Sequence, residues 1–282
     1  MHFRSIVFTL SLILLTGCLS LARPSKRHRE EASARAAKEL VAHRSKLEKV
    51  TFLVLASDRA ASFESSRHNH EPHFELVDPK GTTGLATGIL EDGYLITAAH
   101  VTRRKHCYVV GWMDGQPAPF PARVVYKKLD KKLGADWAIL HVDKHLDAHL
   151  QLGTLDLAEN KIYAFGLDWK SGWKSTTMDR KSGLKFSLIA GNVVGRPKPT
   201  PGNDISIMET DLPLWKGDSG SAVMSKDKKL VGVFVGVDLG WTMLKHSAIV
   251  CVPDMPAIAS IIAKDRHETD KTTQPKDAAS GR

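Results

Sequence analysis

From Thr51 onward the chain is cut into short β-prone runs by Gly, Pro, Asp and Lys, and this spacing limits the fold more than any other feature. Residues 74–77, 85–90, 94–97, 107–110, 122–126, 137–140, 162–165 and 230–235 each hold four to six residues rich in branched, aromatic or aliphatic side chains. Many short strands at regular intervals predict an all-β barrel or sandwich. Glu91-Asp92-Gly93 predicts a hairpin turn between two of them. No internal sequence repeat is seen. A length of 282 residues with 42% apolar content allows one large core or two smaller ones. Near the end, Asp254 suits the N-cap of a helix whose apolar positions Met255, Ile258, Ile261 and Ile262 recur at helical spacing. Residues 265–282 are polar and are expected to be disordered.

The beginning of the chain reads as an address. Arg4 precedes an apolar run over residues 6–15, too short to span a bilayer as a stable helix. Leu15-Thr16-Gly17-Cys18 closes that run and resembles the bacterial lipobox. The resemblance implies a signal peptide over 1–17 and a Cys18 acylated on its sulfur and on its new amine. Two or more acyl chains anchor firmly where one binds marginally. The competing reading is cleavage after Ala22, releasing a secreted protein. Leu19 stands where an inner-membrane retention signal places Asp, which favours the outer membrane and periplasm. Residues 18–50 then read as a polar, helical spacer, with Glu30 and Glu31 near its start and Lys46 and Lys49 near its end matching the helix dipole. A solvated helix with no partner fits equally well. The net charge of +9 is scattered along the chain, so nucleic-acid binding gains no support. Cys107 and Cys251 sit in apolar surroundings and read as buried free thiols.

Three segments carry chemistry. Thr97-Ala98-Ala99-His100-Val101 ends a predicted strand, and Gly134-Ala135-Asp136-Trp137 enters one. Gly217-Asp218-Ser219-Gly220-Ser221 reads as a tight turn. Each is weak alone; together, in the order His, Asp, Ser, they are specific. A serine hydroxyl needs a base within hydrogen-bond reach to take its proton as it attacks. An imidazole with an ordinary pKa of about 6.5 suits that task. A carboxylate against the imidazole fixes its tautomer and stabilises its protonated form.

These segments resemble the trypsin/chymotrypsin-like serine proteases, most of all the bacterial HtrA-like branch. Thr82 to Gly88 followed by Asp92 to Thr97, Thr210-Asp211 upstream of Ser219, and the runs at 230–233 and 248–253 extend the likeness over roughly residues 75–264. The resemblance implies two six-stranded Greek-key β-barrels with a C-terminal helix, a protease domain over 51–264, and no cofactor. It casts Ser219 as nucleophile, His100 as base and Asp136 as orienting acid, with Gly217 and Ser219 supplying oxyanion-hole amides. Pro213 stands at the position of the primary specificity pocket, implying small or medium apolar side chains there. The strand Val235-Gly236-Val237 is placed to pair with an extended peptide. Protein or peptide substrates, and a bilayer through acylated Cys18, are the implied partners.

Departures matter too. No Ile-Val-Gly-Gly-like start occurs, so Asp218 is expected to lack the amino-terminal partner it has in trypsin-like enzymes. Lys216 replaces the Pro usual in HtrA-like enzymes, Asp218 replaces their Asn, and the chain is too short for a following PDZ domain.

Weaker candidates stand beside these. His68, His70, His73 and Glu71 show no metal-ligand spacing, so no metal is expected. His141, His145 and His149 read as a solvated linker, and Lys127-Lys128 with Lys131-Lys132 as a charged turn. Trp169, Trp173 and Trp215 read as core or loop anchors, with a substrate cleft as the alternative. A protease-like scaffold with a binding or adhesion role is the competing function; it usually loses a triad residue, and none is lost here. An ester hydrolase is a third, but the Gly-x-Ser-x-Gly elbow is missing.

Overall fold

The computed structural model describes residues 25–60, 66–68, 71–75, 81–113, 116–130, 134–156, 160–167, 177–178, 186–195, 198–199, 205–238 and 247–273. The first half holds β1 (Thr51–Ser57), a short hairpin of β2 (Ser66–His68) and β3 (Glu71–Glu75), then β4 (Thr82–Gly88), β5 (Tyr94–Thr97), β6 (His106–Met113), β7 (Gln116–Asp130) and β8 (Ala135–His141). Six of these close into an antiparallel barrel in the order β1-β4-β5-β8-β7-β6. The pleat explains why β1 is buried along its whole length. Leu53 and Leu55 face one core cluster with Leu85 and Ile96, while Phe52 and Val54 face another with Ala86 and Leu95.

The second half holds β9 (Lys161–Leu167), β10 (Thr177–Met178), β11 (Phe186–Asn192), β12 (Lys198–Pro199), β13 (Ile205–Thr210), β14 (Ala222–Met224), β15 (Leu230–Asp238) and β16 (Ser247–Pro253). β10 joins β3, and the rest form one sheet in the order β11-β9-β14-β15-β16-β13-β12. Just past β11, Val193 bridges Thr210 of β13, and further along the same edge Lys198 and Pro199 of β12 pair with Ile207 and Ser206. β11 and β12 therefore act as one interrupted strand that draws the sheet round on itself. By chain position both rings read first, second, third, sixth, fifth, fourth, the Greek-key order.

Among the described residues, three α-helices pack on this frame. α1 (Lys26–Leu40) buries Ala32, Ala36 and Leu40, a stripe at helical spacing. Its Glu39 accepts hydrogen bonds from Lys161 and Tyr163 of β9. The helix expected as a free-standing spacer or a solvated rod is thus docked on the second barrel. α2 (Arg44–Lys49) buries Leu47 and leads through Val50 into β1.

α3 (Met255–Thr273) buries Ile258 and Ile262, as its periodicity predicts. It also runs past Asp265, where disorder was expected. The Asp265 carboxylate accepts from Tyr94 Oη at 2.9 Å and from both terminal nitrogens of Arg123 at 2.7 and 2.8 Å, so a polar stretch is held by partners far away in sequence. Residues 274–282 lie outside the described residues. Lys127 and Lys128 lie within β7 instead of in a turn, while Lys131 and Lys132 fall outside the described residues. Cys107 and Cys251 are free and buried.

Candidate active site

The histidine is delivered by a tightly held turn. Ala98 is the last extended residue before a one-turn 3₁₀ segment, Ala99–Thr102. The Val101 amide donates to Ala98 O at 3.1 Å, and Thr102 Oγ1 donates to Ala99 O at 2.9 Å. Neighbouring strands pin the outer side: Thr82 Oγ1 donates to Val101 O at 3.1 Å and Lys127 Nζ to Thr102 O at 3.0 Å. Ala98, Ala99, Val101 and Thr102 are buried, which leaves the partly exposed His100 as the residue the turn presents.

Asp136, the second residue of β8, spends its carboxylate on this one residue. Oδ2 lies 2.6 Å from His100 Nδ1, and Oδ1 accepts the His100 amide at 2.8 Å. With a carboxylate at Nδ1, that nitrogen carries the proton and Nε2 is left with its lone pair. Cys251 of β16 lies beside the Asp136 backbone, and burial pushes its thiol up to about 11.

Ser219 sits in a turn fixed from both barrels. Its carbonyl accepts the Leu85 amide of β4 at 2.7 Å, the Gly220 amide donates to Phe234 O at 2.8 Å, and Ser221 Oγ donates to Phe165 O at 2.6 Å. Two glycines permit this closeness. A Cβ on Gly84 would stand 2.6 Å from both Ser219 O and Val101 Cγ2, so the serine turn and the histidine turn meet across that glycine. Gly220 has φ +94°, and a Cβ there would lie 1.8 Å from Leu85 O and 2.4 Å from Thr97 Oγ1.

Within the turn the amides of Asp218, Gly220 and Ser221 are engaged by carbonyls. Among the described residues those of Gly217, at φ +97°, and Ser219 have no acceptor. The Ser219 hydroxyl likewise makes no hydrogen bond to the imidazole, so the proton route is joined from Asp136 to His100 and open beyond it.

In place of the amino-terminal partner that Asp218 is expected to lack, the structure sets a different cation, Arg29, beside it. Its side chain is fully buried. Oδ1 accepts the Leu167 amide and Oδ2 the Trp215 amide, both at 2.8 Å, and Arg29 Nη1 of α1 lies 3.4 Å from Oδ2. Burial pushes this carboxyl up from the usual range, and the Arg29 charge pulls it back. Arg29 is the functional candidate that reading by motif misses; its only sequence signal is its place on the Ala32, Ala36, Leu40 stripe.

Of the pocket residues, Pro213 is buried between Leu212 and Leu214. Val235, Gly236 and Val237 are half-buried on β15, where the register shifts after Phe234. Phe234 exchanges hydrogen bonds with the serine turn, and among the described residues the stretch beyond it pairs only with β16. Trp215 is buried. Cys18, Trp169, Trp173 and His70 lie outside the described residues, as do the side chains of His68, Glu71 and His73.

A family model described as a trypsin-like peptidase domain matches residues 84–233. No curated protein matches the chain in sequence. Among solved structures, the HtrA-type protease AlgW with a tripeptide is 17% identical with a TM-score of 0.54, covering 84% of this chain and 64% of its own. AlgW with a decapeptide is 17% identical with a TM-score of 0.52, covering 83% of this chain and 68% of its own. Deg5 is 19% identical with a TM-score of 0.50, covering 79% of this chain and 91% of its own. These likenesses are of fold: a chymotrypsin-like, HtrA-type arrangement of two β-units and a C-terminal helix.

Proposed function

The chain belongs to the trypsin-like peptidase domain family, and from that premise we propose that it is a serine endopeptidase acting through Ser219, His100 and Asp136 while tethered to the bacterial envelope by an acylated Cys18. The observation that carries this reading is the 2.6 Å contact of His100 Nδ1 with Asp136, set beside a serine turn with two unspent amides. Nε2 takes the Ser219 proton as the oxygen attacks the scissile carbonyl, and Asp136 stabilises the resulting imidazolium. The step from hydroxyl to Nε2 closes as substrate binds, since catalytic hydrogen bonds commonly tighten only in the complex. Charge then forms on the carbonyl oxygen, facing the Gly217 and Ser219 amides; one such donor is worth roughly 2.7–4 kcal/mol of barrier. His100 returns the proton to the leaving amine, and water repeats the sequence to free the acyl-enzyme.

For substrate, the half-buried run Val235-Gly236-Val237 has space for an extended peptide strand, as a Cβ on Gly236 would meet nothing within 4 Å. AlgW has been solved with a tripeptide and with a decapeptide, which favours peptide substrates here as well. Pro213 brings no charge to the specificity pocket, so small or medium apolar side chains are preferred.

Unfolded casein incubated with the detergent-solubilised full chain tests the activity: wild type cleaves it and Ser219→Ala does not. Casein left intact by folded wild type would favour the scaffold reading, which the open Ser219–His100 gap also fits. For the tether, Cys18→Ala is expected to move the protein from the membrane fraction to the soluble one. Unchanged membrane retention would remove the lipid anchor from the proposal.

A further inference from the structure

The Arg29–Asp218 pair joins two parts of the molecule that the sequence gives no reason to connect. Asp218 stands between Gly217 and Ser219, the two residues whose amides are unspent, and its carboxylate ties the turn to Trp215 on one side and Leu167 on the other. Arg29 Nη2 donates to Leu167 O at 3.2 Å, so guanidinium, carboxylate and the Leu167 peptide close a ring. Among the described residues Nη1 is buried without a hydrogen bond and faces the Asp218 charge. The barrel also leaves room for it: a Cβ on Gly166 of β9 would stand 2.4 Å from Arg29 Nη2, so a larger residue there would force the guanidinium to shift.

We propose that α1 is an intramolecular activator: Arg29, seated against Asp218, holds the Gly217–Ser219 turn with its amides free, so the site is competent only while α1 is docked on the second barrel. The physical reason is the cost of burying charge. Removing one partner of a buried pair strands the other as an uncompensated charge. Asp218 without Arg29 must turn toward water or take up a proton, and either change loosens the Trp215 and Leu167 amides from its oxygens. Ser219 and Gly217, its immediate neighbours, move with it. The buried face of α1 is built from short side chains, Ala32 and Ala36 with Leu40, and Glu39 adds polar contacts to Lys161 and Tyr163. A force or partner that lifts the helix therefore switches the site off without touching the triad.

This inference rests on Ser219 being the nucleophile, and the test separates the two. Full-length wild type, Arg29→Met, Gly166→Ala and, as a control on the same helix, Arg27→Ala are compared. Arg27 is exposed and, among the described residues, paired with Glu31. Two readouts are taken: the rate of labelling by a fluorophosphonate, and amide exchange over residues 215–221 by mass spectrometry. Arg29→Met and Gly166→Ala are expected to label at least about 100-fold more slowly, the loss typical of one oxyanion-hole donor, and to exchange faster over the turn. Arg27→Ala should match wild type in both. Gly166→Ala keeps both charges, so agreement between the two variants excludes a simple charge effect, and thermal melting reports whether each is folded. Addition of ethylguanidinium to Arg29→Ala should restore part of the labelling rate, which a mere loss of stability would not allow. Wild-type labelling and exchange in folded Arg29→Met or Gly166→Ala would overturn the activator role. Wild type that resists the probe while Arg29→Met still loosens the turn would instead overturn Ser219 as nucleophile and leave the Arg29 clamp standing.

Discussion

Single residues carry the proposed chemistry through what they touch. Asp136 places both oxygens on His100, so Asp136→Asn keeps the shape but presents an amide N–H to one of the two nitrogens it meets. The expected outcome is a drop in kcat of about 10⁴, the size seen when an orienting carboxylate is neutralised, with KM for a peptide ester little changed; steady-state kinetics check it. Gly220→Ala should be worse for folding than for binding. A methyl there would stand 1.8 Å from a carbonyl oxygen in a turn at φ +94°. Destabilisation of more than about 1 kcal/mol is expected from the backbone conformation alone, read by urea denaturation. The meeting of His100 with Asp136 was legible because each sits in a short motif whose order is informative. Arg29 was not, because its meaning lies in a carboxylate on the far side of the chain, and periodicity reports only that a helix has a face.

Elements differ in how far the sequence foretells them. The strands follow from period and composition, and the start of α3 from its apolar spacing; its end does not. Polar residues after Asp265 read as solvated, yet Asp265 is 9% exposed and braces α3 against β5 and β7. Hydrogen bonds from Arg123, then from Tyr94, hold its carboxyl below the usual range, and the same contact with burial pushes the Tyr94 hydroxyl up to about 12. For an acid depressed in the folded state, the stabilisation is present above the unfolded value of about 3.9 and is lost as pH falls through the lower folded value. Asp265→Asn should therefore cost about 1–3 kcal/mol at pH 7, and the difference from wild type should shrink toward zero at an acid pH below the lowered folded value. Denaturation curves at the two pH values test the sign. An equal cost at both would mean that packing, and not charge, fixes α3.

At the scale of the whole molecule, two rings with the same strand order carry no sequence repeat between them, so topology was legible only through resemblance. The periodicity allowed a barrel or a sandwich; it had no means of showing that Val193 bridges Thr210 and draws the second sheet closed. What the two rings achieve jointly is the meeting of β4, β8 and the serine turn, with Gly84 as the point where the first barrel yields space to the second. Buried thiols follow from the same closure. Cys107, raised by burial, and Cys251 should both resist a thiol reagent at pH 8 until the protein is unfolded. The most direct measurement of the central claim is intact and peptide mass spectrometry of the full chain after fluorophosphonate treatment. One adduct per chain, on Ser219 and lost in His100→Ala, is the expected result; a folded chain that takes no adduct, or takes it at another serine, would contradict a Ser219–His100–Asp136 protease.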